Sequence, residues 1–222
     1  MVMLQLRQLD VPPGHRVMFH GVSWQEFESI LDQLGEHRAA RLAYSNGTLE
    51  IRMPLPEHEV DKEIIGDMVK ILLKELEIER ECFGSTTFKR EDMAQRVEPD
   101  QSFYIQNYAQ MIGRRRIDLM VDPPPDLAIE VDVTSKTQLD AYEALGVPEL
   151  WRYQERSCVL SVLRDGKYVA SDVSPTFPGL PIVEVFSQFI QQSLTEGTSP
   201  ALRAFRRWVR KYLSSAITKS AT

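Results

Sequence analysis

Eight consecutive residues, Asp126-Leu127-Ala128-Ile129-Glu130-Val131-Asp132-Val133, alternate between two chemically opposite sides. Successive side chains of a β-strand point to opposite faces, so Leu127, Ile129, Val131 and Val133 project one way and Asp126, Ala128, Glu130 and Asp132 the other. One strand thereby buries an aliphatic face and presents three carboxylates. A further acid, Asp100, stands upstream in Glu98-Pro99-Asp100. Convergence of these acids on a divalent metal is the hypothesis against which the rest of the chain is read.

Around this strand the pattern is that of a mixed α/β protein. Ser23 and Glu26 form a capping box ahead of Phe27, Ile30, Leu31 and Leu34, which predicts a helix over 24–34. Segments 41–44 and 48–53 flank Asn46-Gly47, whose preference for positive backbone torsions predicts a hairpin. Pro54 and Pro56 end it, and acids in the first turn followed by Val60, Ile64, Met68, Ile71, Leu72 and Leu76 predict a long core helix over 57–77. Strands are expected at 83–89, 101–105, 150–153, 158–164 and 168–172, with Asp165-Gly166 turning the last pair. Residues 107–112 read as a short helix or loop. Pro123-Pro124-Pro125 is a stiff lead-in to the acidic strand. Thr134-Ser135 caps a helix that Gly146 stops near Leu145 and Pro148 keeps from resuming. Helices are expected over 183–192 and 201–213. No repeat or linker divides the chain. The expectation is one domain over 1–222 with a central mixed sheet flanked by helices, an N-terminal hairpin and a basic helix at 199–217 as an appendage.

Composition narrows the function classes. At 222 residues, 43% hydrophobic and 26% charged, the chain can bury a core without staples. Two cysteines, Cys82 and Cys158, are too few and too far apart for a disulfide framework. The N-terminus lacks the apolar run and cleavage site of a signal peptide, so a soluble, cytoplasmic protein is expected. The net charge of −6 is uneven: residues 199–222 carry +6 with no acid, while the remainder has 20 basic against 32 acidic side chains. That segment and Arg114-Arg115-Arg116 can neutralise phosphates, although a solvated helix face explains a charge run as well. Phosphate-loop, dinucleotide, nucleophile-elbow and HExxH motifs are missing, and His15, His20, His37 and His58 lack metal-ligand spacing.

The acids remain. Hard cations such as Mg²⁺ prefer carboxylate oxygens together with water and substrate phosphate, and can promote attack of water on a phosphodiester. Asp100 at a strand mouth and Glu130 in an adjacent strand suit that role, the alternative being a solvent-facing acidic side of a strand. Glu59 and Glu63 share one face of the long helix near its start. They are a solvated acidic turn, unless the helix end points into the site, which makes Glu63 or Glu59 a candidate ligand.

Pro99-Asp100, Pro125-Asp126-Leu127-Ala128-Ile129-Glu130-Val131, Tyr142 and Gly146-Val147-Pro148-Glu149-Leu150-Trp151 together resemble the Uma-type restriction endonucleases, a branch of the PD-(D/E)XK nuclease superfamily. Asn46-Gly47-Thr48-Leu49-Glu50 and Pro56-Glu57-His58-Glu59 match its N-terminal half. The resemblance implies a restriction-endonuclease-like core with its metal site where two strands diverge. It makes Asp100 the superfamily aspartate and Glu130 the glutamate of the E-x-K element, with Mg²⁺ or Mn²⁺ as cofactor and DNA as substrate. The third position of that element is Asp132 rather than lysine. The branch often carries a basic residue nine positions before the valine of the GVP box, which here is Gln138, an amide without charge. Lys136, near the helix start, is the candidate positioning cation, with a surface pair to Asp140 as its alternative reading. Asp126 is expected to support the strand entrance through hydrogen bonds, and Tyr142, Trp151 and Trp208 to lie in the core. The expected activity is metal-dependent hydrolysis of DNA, with a homodimer suited to cutting both strands. The alternative is a catalytically impaired nucleic-acid or protein interaction module that keeps the fold.

Overall fold

The computed structural model describes residues 10–35, 40–131 and 135–220, with side chains to 215. Among these residues eleven strands form two sheets, flanked by six α-helices. The N-terminal sheet runs β1-β3-β2-β6-β5, made from Arg16–His20, Thr48–Arg52, Arg41–Ser45, Gln95–Val97 and Phe88–Arg90. All its pairs are antiparallel. The central sheet runs β11-β10-β9-β8-β7-β4, that is Lys167–Ser171, Ser157–Arg164, Glu149–Gln154, Leu127–Val131, Gln101–Tyr104 and Glu81–Cys82. Within it β8 and β9 are parallel and the other pairs antiparallel, so the sheet is mixed as expected.

The hairpin of β2 and β3 closes through Asn46 (φ 45°) and Gly47 (φ 82°), the paired positive torsions that Asn-Gly accommodates. Helix α1 (Trp24–Leu34) starts at the Ser23–Glu26 capping box and buries Phe27 against Tyr44 of the N-terminal sheet, ring centroids 4.8 Å apart. Helix α2 (Pro56–Glu75) gains Pro56 at its first turn and Glu57 and Glu59 at the positive end of its dipole. Its buried stripe is Ile64, Ile65, Met68, Val69, Leu72 and Leu73. Val60, expected in the stripe, is 54% exposed, because the helix is rotated to place Ile65 and Val69 against β8.

Leu127, Ile129 and Val131 of β8 share one buried cluster with α2, as their alternation predicts. Each contributes roughly 1.5–3 kcal/mol by leaving water. The opposite face of β8 is covered too. Helix α4 (Lys136–Leu145) links β8 to β9 and packs between the two sheets, touching β2, β3 and β6. The acidic face of the strand is therefore enclosed rather than solvated. Ser135 caps α4, its Oγ accepting the Gln138 N–H at 3.2 Å, and Gly146 (φ 76°) ends it. Ser135→Ala is expected to cost about 1 kcal/mol in urea denaturation, through the unsatisfied amide at the start of α4.

Three expectations need correction. The segment 83–89 is strand only at its end, where Phe88 and Lys89 enter β5 of the N-terminal sheet; β4 of the central sheet stops before it at Cys82, and Gly84 at φ 55° lies where the chain crosses between the sheets. β1 and β6 are strands that sequence patterning did not identify. The C-terminal helix, α6 (Thr198–Ser220), packs on α5 (Ile182–Glu196) and α2 rather than standing apart. Phe205 and Val209 are fully buried, and Glu75 of α2 accepts from Arg206 and, at 2.7 Å, from Arg210. No helix among the described residues is long and apolar enough to cross a membrane.

Candidate active site

The register of β7 against β8 brings the two principal acids together. Gln101 pairs with Ile129 in antiparallel fashion, so the residue before Gln101 lies level with the residue after Ile129. Asp100 donates its N–H to the Ile129 carbonyl at 3.0 Å, and its Oδ2 accepts the Val131 N–H at 2.8 Å. Glu130 then stands beside it, with no exposed surface. Tyr142 of α4 donates its hydroxyl to Glu130 Oε1 at 2.6 Å. The tyrosine expected as core packing is thus buried and also holds one oxygen of the acid.

The cation at this site comes from an unexpected place. Arg52, the last residue of β3, is 8% exposed and lies with Nη2 3.9 Å from Asp100 Oδ2 and 3.5 Å from Glu130 Oε2. Its Nη1 donates to the Val131 carbonyl at 3.0 Å. Burial opposes the charge on Arg52, but Glu130, Asp100 and Glu50 outweigh it and raise the guanidinium above its ordinary pKa. A signal for Arg52 existed in the hairpin. Leu49 and Ile51 bury one face of β3, so Glu50 and Arg52 occupy the other.

The remaining candidates are distributed unequally. Gln138 is 2% exposed on the α4 face that also carries Tyr142, with Ser135 Oγ 3.4 Å from its Oε1. Lys136 is exposed at the first turn of α4, where its charge acts on Glu143. Glu63 is exposed on α2, on the side turned away from the stripe that packs on β8. Glu59 is engaged by Lys62 and, at 3.9 Å, by Arg41. Asp126 accepts from the N–H groups of Ile105 at 2.6 Å and Asn107 at 3.2 Å, and so fixes the chain at the strand entrance. Asp132, Val133 and Thr134 lie outside the described residues.

Burial raises the Glu130 carboxyl well above its ordinary pKa of 4.5, and the neighbouring Asp100 adds to the shift. Arg52 and the Tyr142 hydroxyl act against it. The folded chain therefore holds a proton on Glu130 at pH values where the unfolded chain has released it. From 4.5 up to the raised value the folded state binds the extra proton, so stability falls as pH rises through that window and the loss is complete above it. Urea denaturation of the metal-free protein from about pH 5 to about pH 8 is expected to show wild type losing stability relative to Glu130→Gln. Parallel profiles would mean that ionising Glu130 costs the fold nothing.

Carboxylate oxygens alone, enclosed and facing a single guanidinium, are a donor set suited to a hard divalent cation. As the side chains lie, however, no group of three acids, histidines or cysteines among the described residues is arranged to hold one. Arg52 is instead the cation set against both principal acids.

The crystal structure of a "putative nuclease belonging to DUF820" from Anabaena variabilis ATCC 29413 is similar at 17% identity and a TM-score of 0.49, over 75% of this chain and 92% of that one. No curated protein matches the chain. A family model, Uma2, described as "Putative restriction endonuclease", matches residues 24–195. That span covers well over half of the 222 residues, from α1 through α5, and the chain belongs to the Uma2 family.

Proposed function

We propose that the protein is a metal-dependent endonuclease that hydrolyses DNA phosphodiester bonds, with Asp100 and Glu130 as the carboxylates that hold Mg²⁺ or Mn²⁺. The observation that carries this reading is the β7–β8 register, which sets the two acids side by side in a family of nuclease type. A hard divalent cation held there would acidify a water and neutralise charge building on the phosphate.

The chain's own groups have separable roles. Tyr142 fixes one oxygen of Glu130 through its 2.6 Å hydrogen bond and leaves the other facing Arg52. Arg52 supplies the positive charge that neither Asp132 nor Gln138 can supply at the motif-lysine positions. Its guanidinium is planar and permanently charged, suited to a phosphate oxygen once it withdraws from the carboxylates. Lys136, exposed at the first turn of α4, is the alternative cation and would have to swing inward to serve. Exposed Arg115, Arg116, Arg203, Arg207 and Lys211 offer charge for the DNA backbone, whereas Arg206 and Arg210 are engaged by Glu75.

A second reading, a DNA-binding module without catalysis, is favoured by the ion pairs through which Arg52 already compensates both acids. Incubation of the purified protein with supercoiled plasmid and MgCl₂ or MnCl₂, with a chelator as control, separates the two. Chelator-sensitive nicking or linearisation supports the nuclease. Salt-sensitive DNA binding without cleavage supports the module, and weakening by Arg203→Ala and Arg207→Ala would locate its surface.

A further inference from the structure

Glu50 is a third carboxylate in this enclosure. It lies on the same face of β3 as Arg52, two residues before it, and is 1% exposed. Neither of its carboxylate oxygens has a hydrogen-bond partner. Its cross-strand neighbours explain why: Glu50 stands opposite Ala43 on β2 and Met18 on β1, neither of which offers a side-chain donor. The charge of Glu50 acts on Arg52, yet the hydrogen bonds of Arg52 go to the Val131 carbonyl and to Glu130. Burying an ionised carboxylate is strongly unfavourable unless it is paired or coordinates a metal, and the one guanidinium near Glu50 spends its hydrogen bonds elsewhere.

Three strands thus contribute to one imbalance. Glu50 comes from β3, Asp100 from the start of β7 and Glu130 from β8, against the one guanidinium of Arg52. Ionised together they leave an excess of two negative charges, which is the charge of one divalent cation. The other acids considered do not share this property. Glu59 is engaged by Lys62 and Arg41, Glu63 faces solvent, and Asp126 is occupied by Ile105 and Asn107.

We propose that Glu50 is the third acid of the metal site, delivered by the N-terminal hairpin and joining Asp100 and Glu130 when a divalent cation binds. This rests on the reading that Asp100 and Glu130 hold the metal. It assigns the N-terminal sheet a direct part in the site, and it makes Glu50 and Arg52 a coupled pair on one strand, one acid for the metal and one cation for the charge that remains.

The test is Mn²⁺ binding to the full chain without DNA, followed by the loss of the free-ion electron paramagnetic resonance signal. Thermal melts with and without MgCl₂ run in parallel. Glu50→Gln is expected to weaken Mn²⁺ at least about tenfold, in the range that loss of a supporting partner costs other metal sites. It should also shrink the rise in melting temperature that MgCl₂ produces. Unchanged Mn²⁺ affinity in Glu50→Gln, alongside lost affinity in Asp100→Asn, would overturn the role of Glu50 and leave the two-acid site standing. No Mn²⁺ binding by wild type would overturn both. Should Glu50→Gln fail to fold, Glu50→Asp decides. It keeps the charge and shortens the arm by one methylene, so it must weaken Mn²⁺ binding several-fold, and full affinity there would equally sink the assignment.

Discussion

Asp100→Asn is expected to leave the fold standing while lowering Mg²⁺-dependent plasmid cleavage by about 1000-fold, equivalent to roughly 4 kcal/mol of transition-state stabilisation. The substitution is nearly isosteric. The Asp100 backbone N–H keeps its bond to the Ile129 carbonyl, and the amide oxygen of asparagine can still accept the Val131 N–H, so the junction of β7 and β8 survives. What disappears is one negative charge and the anionic oxygen a hard cation requires. Two readouts should move in opposite senses. Cleavage and Mn²⁺ binding fall. The metal-free protein does not lose stability in proportion, because Asp100 contributes to the electrostatic strain on Glu130. A folded Asp100→Asn protein that cuts plasmid at the wild-type rate would remove Asp100 from the site, whatever the family resemblance implies.

Why Asp100 and Glu130 were legible in the sequence while Arg52 was not has a physical explanation. Period-two alternation in 127–131 fixes which residues share a face, and Pro99-Asp100 marks a strand mouth, so both acids are identified locally. Caps and turn residues do the same for α1, the hairpin, α2 and α4. The role of Arg52 depends on partners 48 and 78 positions away, which only the packing of α4 between two sheets brings near. The missed strands share this character. β6 (Gln-Arg-Val) is buried throughout, yet Arg96 lies there only because Glu98 accepts from its guanidinium at 2.5 Å and the ring of Phe27 lies 5.4 Å beneath it. β1 (Arg-Val-Met-Phe-His) is an edge strand whose three apolar residues run consecutively, so no polar–apolar alternation marks its two faces. For Glu63 the limit is different: helical spacing marks α2, but the rotation of the helix about its axis decides whether an acid faces a sheet or water, and Glu63 faces water.

Arg52→Met should be the most destabilising single change at the site, by about 3–5 kcal/mol at neutral to alkaline pH, the range for breaking a buried ion pair from one side. Methionine fills much of the same volume but leaves Glu50, Asp100 and Glu130 without a cation and the Val131 carbonyl without the Nη1 donor. Total stabilities are only about 5–15 kcal/mol, so the urea midpoint should move far. The loss should shrink as pH falls toward 4.5, because Glu130 takes up a proton in the folded state and the surviving charge is reduced. Arg52→Lys should keep most of the stability, since it retains the charge while giving up the forked geometry. The decisive comparison adds MgCl₂. If Arg52 and a divalent cation compensate the same carboxylates, the ion must stabilise Arg52→Met more than it stabilises wild type, because it replaces a charge the variant lacks and no longer displaces a guanidinium. Equal stabilisation of the two proteins would separate Arg52 from the metal, and a midpoint within about 1 kcal/mol of wild type at pH 8 would show that the acids are compensated by something other than Arg52.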